Sequence, residues 1–127
     1  MNNKKLGTKF EQLFCNWLAE NGWWAHFLAP NTSGAQPFDV IAIRGNQVYA
    51  IDCKTCESDR FSFDRIQENQ YLAFKSIMWK SSNVQCGFAI WHKEELFYIP
   101  FEDVLTATGK SIKLKGGHVY DARNRFE

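Results

Sequence analysis

The sequence predicts an α/β domain built on a mixed sheet of about five strands flanked by helices. Its hydrophobic patterns follow the order helix, three strands, helix, two strands and a polar tail. The second helix joins the third strand to the fourth, and a helical crossover of this kind places two strands parallel in one sheet. A hairpin between residues 36 and 55 carries charged side chains in otherwise apolar strands. We expect the rest of the chain to be organised around this hairpin.

Length and composition indicate one domain spanning residues 1–127. A hydrophobic content of 45% and an aromatic content of 16% support a real core. The net charge of +1 excludes a strongly basic protein and allows DNA binding only through a local patch. The chain shows neither a long apolar run nor a signal-peptide pattern, so we expect a cytoplasmic protein without a membrane partner.

The first helix is predicted over Lys4–Asn21, where apolar residues recur at helical spacing and Asn21-Gly22 supplies a stop signal. Glu11 adjoins the apolar stripe, where a carboxylate either reaches solvent or contributes to a site. Lys4, Lys5 and Lys9 place positive charge near the helix start, where it is unfavourable for the helix dipole but useful near phosphate.

The central hairpin sets two carboxylates opposite each other. A two-residue turn at Gly45-Asn46 pairs Arg44 with Gln47 and therefore places Asp39 opposite Asp52. Opposed residues have Cβ atoms about 4.5–5.5 Å apart, so the two carboxylates repel unless a cation lies between them. Lys54 follows on the same strand face. This set suits a hard cation such as Mg²⁺, and the alternative is a cross-strand charge cluster neutralised by the lysine.

Polar residues flank the hairpin on both sides. The loop 31–36 precedes Asp39 and either contacts a substrate or is an ordinary surface connection. A second helix is predicted over Asp64–Trp79, with Asp64 and Gln67 forming a capping box. Gln67 and Gln70 lie near its start and either support the site or face solvent.

The last third of the chain contributes two strands and a tail. Strands are predicted over residues 84–91 and 95–99, joined by a turn at His92-Lys93-Glu94, and a short helix starts at Phe101. The tail from about residue 106 allows a final hairpin across Gly116-Gly117. Cys53 and Cys56 form a CxxC without a second ligand pair at zinc spacing, so reduced thiols are favoured over a zinc site.

These residues resemble the PD-(D/E)xK nuclease superfamily, and more narrowly the Holliday junction resolvases of the RecU and archaeal Hjc kind. The resemblance rests on Gly7–Glu11, on Pro37-Phe38-Asp39 and on Asp52-Cys53-Lys54. It covers about residues 7–105 and leaves the tail out. The chain lacks the longer segment that RecU proteins carry before the first aspartate. It implies a restriction-endonuclease-like fold and hydrolysis of DNA phosphodiesters.

The resemblance also implies roles for individual residues. Asp39 and Asp52 would bind Mg²⁺, with Mn²⁺ as an alternative, and Glu11 would be a further metal ligand or support the other two. Lys54 would position the attacking water and stabilise the phosphate, helped by Gln67 or Gln70. The predicted catalytic residues are Glu11, Asp39, Asp52, Lys54 and Gln67, and the predicted DNA-binding residues are Lys4, Lys5, Lys9, Ser33, Gln36 and Gln70.

A Mg²⁺-dependent junction resolvase acting on branched DNA as a homodimer is the function that this reading favours, because a resolvase cuts two strands symmetrically. Exposed aromatic residues such as Trp79, Trp91 and Phe97 would serve the dimer interface or the core. Two alternatives remain open at this point. One is a restriction- or repair-type nuclease on other DNA, and the other is a non-catalytic DNA-binding module of the same fold.

Overall fold

A computed structural model describes the backbone of residues 3–28, 36–117 and 119–127, with side chains from residue 9 onward. The helices are α1 (Asn3–Glu20), α2 (Glu68–Lys80), α3 (Phe101–Thr106) and α4 (Arg123–Phe126), with a 3₁₀ turn at Phe63–Arg65. The strands are β1 (Trp24–Phe27), β2 (Val40–Arg44), β3 (Gln47–Thr55), β4 (Arg60–Ser62), β5 (Val84–His92), β6 (Glu95–Pro100) and β7 (Ser111–Lys113).

The main sheet has five strands in the order β1-β2-β3-β5-β6. Neighbouring strands are antiparallel except for β3 and β5, which run parallel because α2 connects them. This mixed α/β architecture confirms the predicted fold class. The crossover also brings the start of α2 towards the end of β3 at which Asp52 and Lys54 lie, since a crossover helix begins beyond the carboxyl end of the strand before it.

The β2–β3 hairpin has the register that the turn at Gly45-Asn46 predicts. Arg44 pairs with Gln47 and Val40 pairs with Ile51. Gly45 has a φ of +57°, a conformation that glycine adopts without steric cost. Asp39 lies one residue before β2, and its backbone N–H donates to the Ile51 carbonyl at 3.0 Å. The predicted register therefore holds from the turn to the Val40–Ile51 pair, whereas Asp39 lies beside Ile51 at the end of the ladder and does not form the predicted direct pair with Asp52.

Each face of the sheet is covered by helices. On one face, α1 inserts Phe10, Phe14 and Leu18, each at most 3% exposed, against residues of β2, β3, β5 and β6. The other face packs against α2 and α3 through Phe74 and Phe101, both fully buried. The strands in the middle of the sheet are therefore buried on both sides, which makes a charged side chain there costly unless it is paired.

A second, two-stranded sheet pairs β4 with β7, and it corrects the prediction for the tail. The tail from about residue 106 was expected to allow a hairpin across Gly116-Gly117. Instead, Phe61 pairs with Ile112, and both side chains are buried under the main sheet. A long-range pairing that buries two apolar side chains prevails over the local turn signal of the two glycines.

The second helix begins four residues later than Asp64, where the sequence pattern placed its start. Ser62 caps the 3₁₀ turn by accepting the Asp64 N–H, and Ile66 then adopts an extended conformation. Gln67 is the N-cap of α2, and its backbone N–H donates to Gln70 Oε1 at 3.2 Å. The capping contact thus lies one turn further along the chain than predicted, and it fixes the side chain of Gln70.

The chain end packs into the core and does not form a polar tail. Phe126 in α4 is fully buried and lies edge-on against Phe14, Trp23 and Tyr98, with centroid distances of 6.0, 5.4 and 5.3 Å. Its carbonyl accepts hydrogen bonds from Trp23 Nε1 and Arg44 Nη1 at 2.8 and 3.0 Å. These contacts join the last turn of the chain to the α1 face of the sheet.

The aromatic residues proposed for an interface differ in exposure. Trp79 is 89% exposed, whereas Trp91 is half-buried and Phe97 is only 6% exposed, so Phe97 belongs to the core. His92, expected in a turn, is the fully buried last residue of β5 and contacts the Cys56 carbonyl. Within the described parts of the chain, none of the helices has the length and hydropathy needed to cross a membrane.

Replacement of Phe126 by alanine is expected to lower the free energy of unfolding by about 3–5 kcal/mol, the usual cost of removing a buried phenyl ring. Denaturant unfolding monitored by circular dichroism measures this change. Val119→Ala is the matched control, because Val119 is 74% exposed and its truncation leaves the core intact. If Phe126→Ala lowers the free energy of unfolding by less than about 1 kcal/mol, as a substitution at a surface site does, α4 is peripheral to the fold.

Candidate active site

The charged residues of the hairpin lie where β2 begins and β3 ends. Asp39 accepts hydrogen bonds at both carboxylate oxygens, from Gln36 Nε2 at 2.9 Å and from the Cys53 backbone N–H at 2.8 Å. The second bond ties the Asp39 side chain to β3, beside Asp52. The antiparallel pairing of β2 and β3 and this side-chain contact together fix the two carboxylates next to each other.

Asp52 is fully buried and is held by α2 and by its own strand. Its Oδ1 accepts a hydrogen bond from Gln70 Nε2 at 2.9 Å. Its Oδ2 lies 3.0 Å from Lys54 Nζ, and none of the other described groups donates a hydrogen bond to Oδ2. We regard the contact as an ion pair. A buried carboxylate oxygen without a hydrogen-bond donor retains a lone pair for a further ligand.

Asp52 lies in a strongly perturbed electrostatic environment. Burial, followed by the proximity of the Asp39 carboxyl group and the repulsion from its charge, raises the pKa of Asp52 to about 8. The ammonium group of Lys54 acts in the opposite direction but does not cancel these effects. Two carboxylates this close favour either a shared proton or a cation between them. A divalent cation would therefore bind in competition with a proton.

Glu11 reaches the same region from α1, on the other side of the sheet. It is half-buried, and burial together with the charge of Asp39 raises its pKa to about 7. Asp39 thus influences both Glu11 and Asp52, and it is the acidic residue that they have in common. The charges of Glu11 and Asp52 are therefore both coupled to that of Asp39.

The donor set fits a hard divalent cation. Among the residues that the structure describes, no three His, Cys, Asp or Glu side chains are grouped tightly enough to hold a metal by themselves. Mg²⁺ does not need three, because it is usually held by one or two carboxylates and completes its octahedron with water and phosphate oxygens. Asp39 and Asp52 supply such a pair, and the free lone pair of Asp52 Oδ2 gives it a binding atom.

Lys54 and Gln70 form a connected pair next to Asp52. Lys54 Nζ donates to Gln70 Oε1 at 3.2 Å, and the same oxygen accepts the Gln67 backbone N–H. The Lys54 side chain is 13% exposed and lines the groove next to the site. Gln67 is exposed and contributes its backbone to this network, so the structure brings Gln70, and not the side chain of Gln67, against Asp52 and Lys54.

The other predicted DNA-binding residues fall into three groups. Gln36 contacts Asp39, and its carbonyl accepts a hydrogen bond from Asn69 Nδ2 at 3.1 Å. Asn69 was not among the predicted site residues. Lys9 is exposed on α1. Ser33 and the side chains of Lys4 and Lys5 lie outside the described residues. Asn69 lies between Gln67 and Gln70 in the sequence, so its position at the helix start was the available signal.

The thiols near the site show no sign of a zinc centre in the described residues. Cys56 donates its Sγ–H to the carbonyls of Ser58 and Arg60 at 3.2 and 3.5 Å. Cys53 is half-buried on the α1 face, and burial raises its pKa well above the usual range. Both residues therefore act as structural thiols next to the carboxylates.

Comparisons with known proteins identify relatives of this chain. The model of the archaeal Holliday junction resolvase (Hjc) family matches residues 2–117. Among solved structures, the fold is similar to that of Hjc from Archaeoglobus fulgidus, described as a Holliday junction resolvase from an archaeal hyperthermophile. The TM-score is 0.66 at 20% identity, covering 84% of this chain and 88% of that chain. A search of the curated proteins finds no match.

Proposed function

The chain belongs to the archaeal Holliday junction resolvase (Hjc) family, and from this premise we propose that it is a Mg²⁺-dependent endonuclease that cleaves four-way DNA junctions. The observation that carries the proposal is the pair of the buried Asp52 and the half-buried Asp39, with Lys54 and Gln70 beside Asp52. An acidic pair with a lysine at its edge can bind a metal and a phosphate together, because the metal compensates the charges that would otherwise repel the phosphate.

Asp39 and Asp52 would hold the metal, and Glu11 would stabilise it directly or through a bound water. Mn²⁺ is an alternative to Mg²⁺, since both accept carboxylate oxygens. When bound, the metal polarises the scissile phosphate and lowers the pKa of the attacking water. Asp39 is already oriented by Gln36 and by the Cys53 N–H, so it would bind without a large rearrangement.

Lys54 would act on the nucleophile and on the developing charge. Its ammonium group donates hydrogen bonds and stabilises negative charge on the phosphate as water adds. Gln70 would be a positioning residue, because its Oε1 holds Lys54 Nζ while its Nε2 holds Asp52 Oδ1. One side chain thus sets the separation of the lysine and the carboxylate.

Replacement of Gln70 by alanine is expected to reduce the rate of junction cleavage by about 10- to 100-fold, the usual effect of removing a residue that orients a metal ligand. Gln67→Ala is the matched control and is expected to retain the rate within about threefold, since its exposed side chain touches neither Asp52 nor Lys54. Single-turnover cleavage measures both. Equal losses in the two variants would assign the role of Gln70 to helix capping.

A homodimer would follow from the reaction itself. Resolving a junction requires two cuts in strands related by approximate two-fold symmetry, and a two-fold dimer presents two equivalent sites. Sedimentation equilibrium with and without a four-way junction would measure the stoichiometry. A single protein chain bound to each junction, together with symmetric cleavage, would contradict the dimer.

The test of the function is to incubate the protein with a four-way junction, matched duplex and single-stranded DNA, in Mg²⁺, Mn²⁺ or EDTA. Symmetric cleavage of the junction that requires the metal supports the proposal. Cleavage of plain duplex at a comparable rate would indicate a restriction- or repair-type nuclease. Tight binding to the junction without cleavage under any of these metal conditions would indicate a non-catalytic module of the same fold.

A further inference from the structure

A groove with a volume of about 900 Å³ extends from the candidate active site along the end of β3, past β4, to the turn after β5. We call it the basic groove. Four of its lining residues are basic and two are acidic: Lys54, Arg60, Arg65 and Lys93, with Glu57 and Glu94. Lys54 belongs to both the groove and the active site. A strand of DNA whose scissile phosphate lies at Lys54 could therefore continue into this groove.

The β4–β7 sheet determines which side chains face outward beside the groove. Phe61 points into the core and is fully buried, so its neighbours Arg60 and Ser62 project to the opposite side of the strand. The same alternation applies on β7, where Ile112 is buried and Lys113 is exposed. The pairing that the hydrophobic residues impose thus displays a row of polar and basic groups.

Arg60 is held in place without being neutralised. Its Nε donates to Ser111 Oγ at 2.8 Å and its Nη2 donates to the Ser111 carbonyl at 3.4 Å, both uncharged partners. The residue directly across the sheet is Lys113, which is also positive. Like charges opposite each other destabilise a strand pair unless an anion lies nearby. The arrangement therefore retains positive charge at a fixed place.

Arg65 is exposed, and none of the described carboxylates lies within 4 Å of its guanidinium nitrogens. Lys93 differs, because its Nζ lies 3.9 Å from Asp59, which also contacts His92. Arg60 and Arg65 are therefore the two groove cations whose charge is not balanced within the described residues. The planar guanidinium group matches phosphate oxygens geometrically as well as electrostatically.

We infer that the basic groove binds the sugar–phosphate backbone of the cleaved strand beside the scissile phosphate, with Arg60 and Arg65 as its phosphate-binding residues. The inference rests on the proposed nuclease function and adds a direction to it, since it places the flanking phosphates on the β4 side of Lys54. Binding here is independent of base sequence, because only the backbone is contacted.

Equilibrium binding to a fluorescently labelled four-way junction in EDTA tests the inference. Each phosphate contact contributes about 0.9 to the slope of log K against log salt concentration. Arg65→Gln is expected to reduce the slope by about 0.9 and to weaken binding about tenfold near 0.1 M salt. The control is Lys80→Gln, which removes an exposed positive charge at the far end of α2. A slope for Arg65→Gln equal to that of Lys80→Gln overturns the inference.

Arg60 requires a second control because it also bonds to Ser111. Arg60→Lys retains the charge and loses the bidentate contact, so it is expected to recover most of the salt slope that Arg60→Gln loses. Thermal unfolding of both variants shows whether the β4–β7 sheet is intact. If Arg60→Lys and Arg60→Gln lower the slope equally, the arginine has a structural role and the inference fails for this residue.

Neutral phosphates locate the contact. Junctions carrying a single methylphosphonate at each position next to the cut are expected to bind the wild-type protein less tightly at one or two positions. At the same positions, Arg65→Gln is expected to show no further loss, because the contact is already absent. Additive losses at every position would place Arg65 elsewhere. If the wild-type protein neither binds nor cuts junctions, the proposed function itself fails, which is a distinct outcome.

Discussion

Asp52→Asn is expected to lower the rate of junction cleavage by about 10³-fold while junction binding stays within about threefold of wild type. The amide keeps the shape of the side chain and can still accept the hydrogen bond from Gln70, but it removes the charge that attracts the metal and pairs with Lys54. Single-turnover cleavage at saturating Mg²⁺ and equilibrium binding measure the two quantities separately.

Asp64→Asn is the matched control for this substitution. Asp64 is an exposed aspartate in the 3₁₀ turn before α2, and its capping contact uses its backbone N–H, not its side chain. It should retain the wild-type rate. The Asp52 assignment would be wrong if Asp52→Asn cleaved within about threefold of wild type, or if it lost binding and cleavage in parallel.

In EDTA, the free energy of unfolding is expected to fall as the pH rises from 5 to 8. The pKa of Asp52 is raised from 3.8 to about 8 in the folded state, and that of Glu11 from 4.5 to about 7, both chiefly by burial. Above the unfolded-state pKa values the unfolded chain loses these protons while the folded protein retains them. By the linkage between proton binding and folding, the stabilisation is therefore fully present below about pH 4 and is lost as the pH approaches about 8.

The expected loss from Asp52 over this range is on the order of 4 kcal/mol, since one pKa unit corresponds to about 1.4 kcal/mol. Urea unfolding at several pH values measures it. Asp52→Asn should make the profile shallower and leave the part that is due to Glu11, because the amide does not titrate. Mg²⁺ should stabilise the wild-type protein more at pH 8 than at pH 5, as it competes with protons for the same pair. A stability that rises with pH in EDTA would contradict the raised pKa values.

Local sequence signals were sufficient for the central hairpin. Its register follows from the turn at Gly45-Asn46 and holds as far as the Val40–Ile51 pair, which leaves Asp39 at the end of the ladder near Asp52. Helical periodicity likewise predicted α1, and the helix between two strands predicted a mixed sheet, in which β3 and β5 are the parallel pair. Each of these depends on residues close together in the chain, which is why they can be inferred from the sequence.

Distant contacts decided what the sequence patterns missed. The β4–β7 pairing joins Phe61 to Ile112, and Phe126 packs against Phe14 and Trp23 from the other end of the chain. The start of α2 also depends on tertiary packing, because the 3₁₀ turn at Phe63–Arg65 delays it and thereby selects Gln70 over Gln67. A local sequence pattern carries no information about a partner that lies roughly fifty or a hundred residues away in the chain. Such distant contacts can still form, because the entropy cost of closing a loop grows only slowly with its length.

The sequence by itself predicted the acidic pair, determined the register of the β2–β3 hairpin that carries it and indicated the nuclease family that the chain resembles. The tertiary structure decided the environment of that pair: the full burial of Asp52, the clamp of Lys54 by Gln70 and the approach of Glu11 from the opposite face of the sheet. The physical reason is that register is set by backbone hydrogen bonds between neighbouring strands, whereas burial and pKa depend on every element packed around the site.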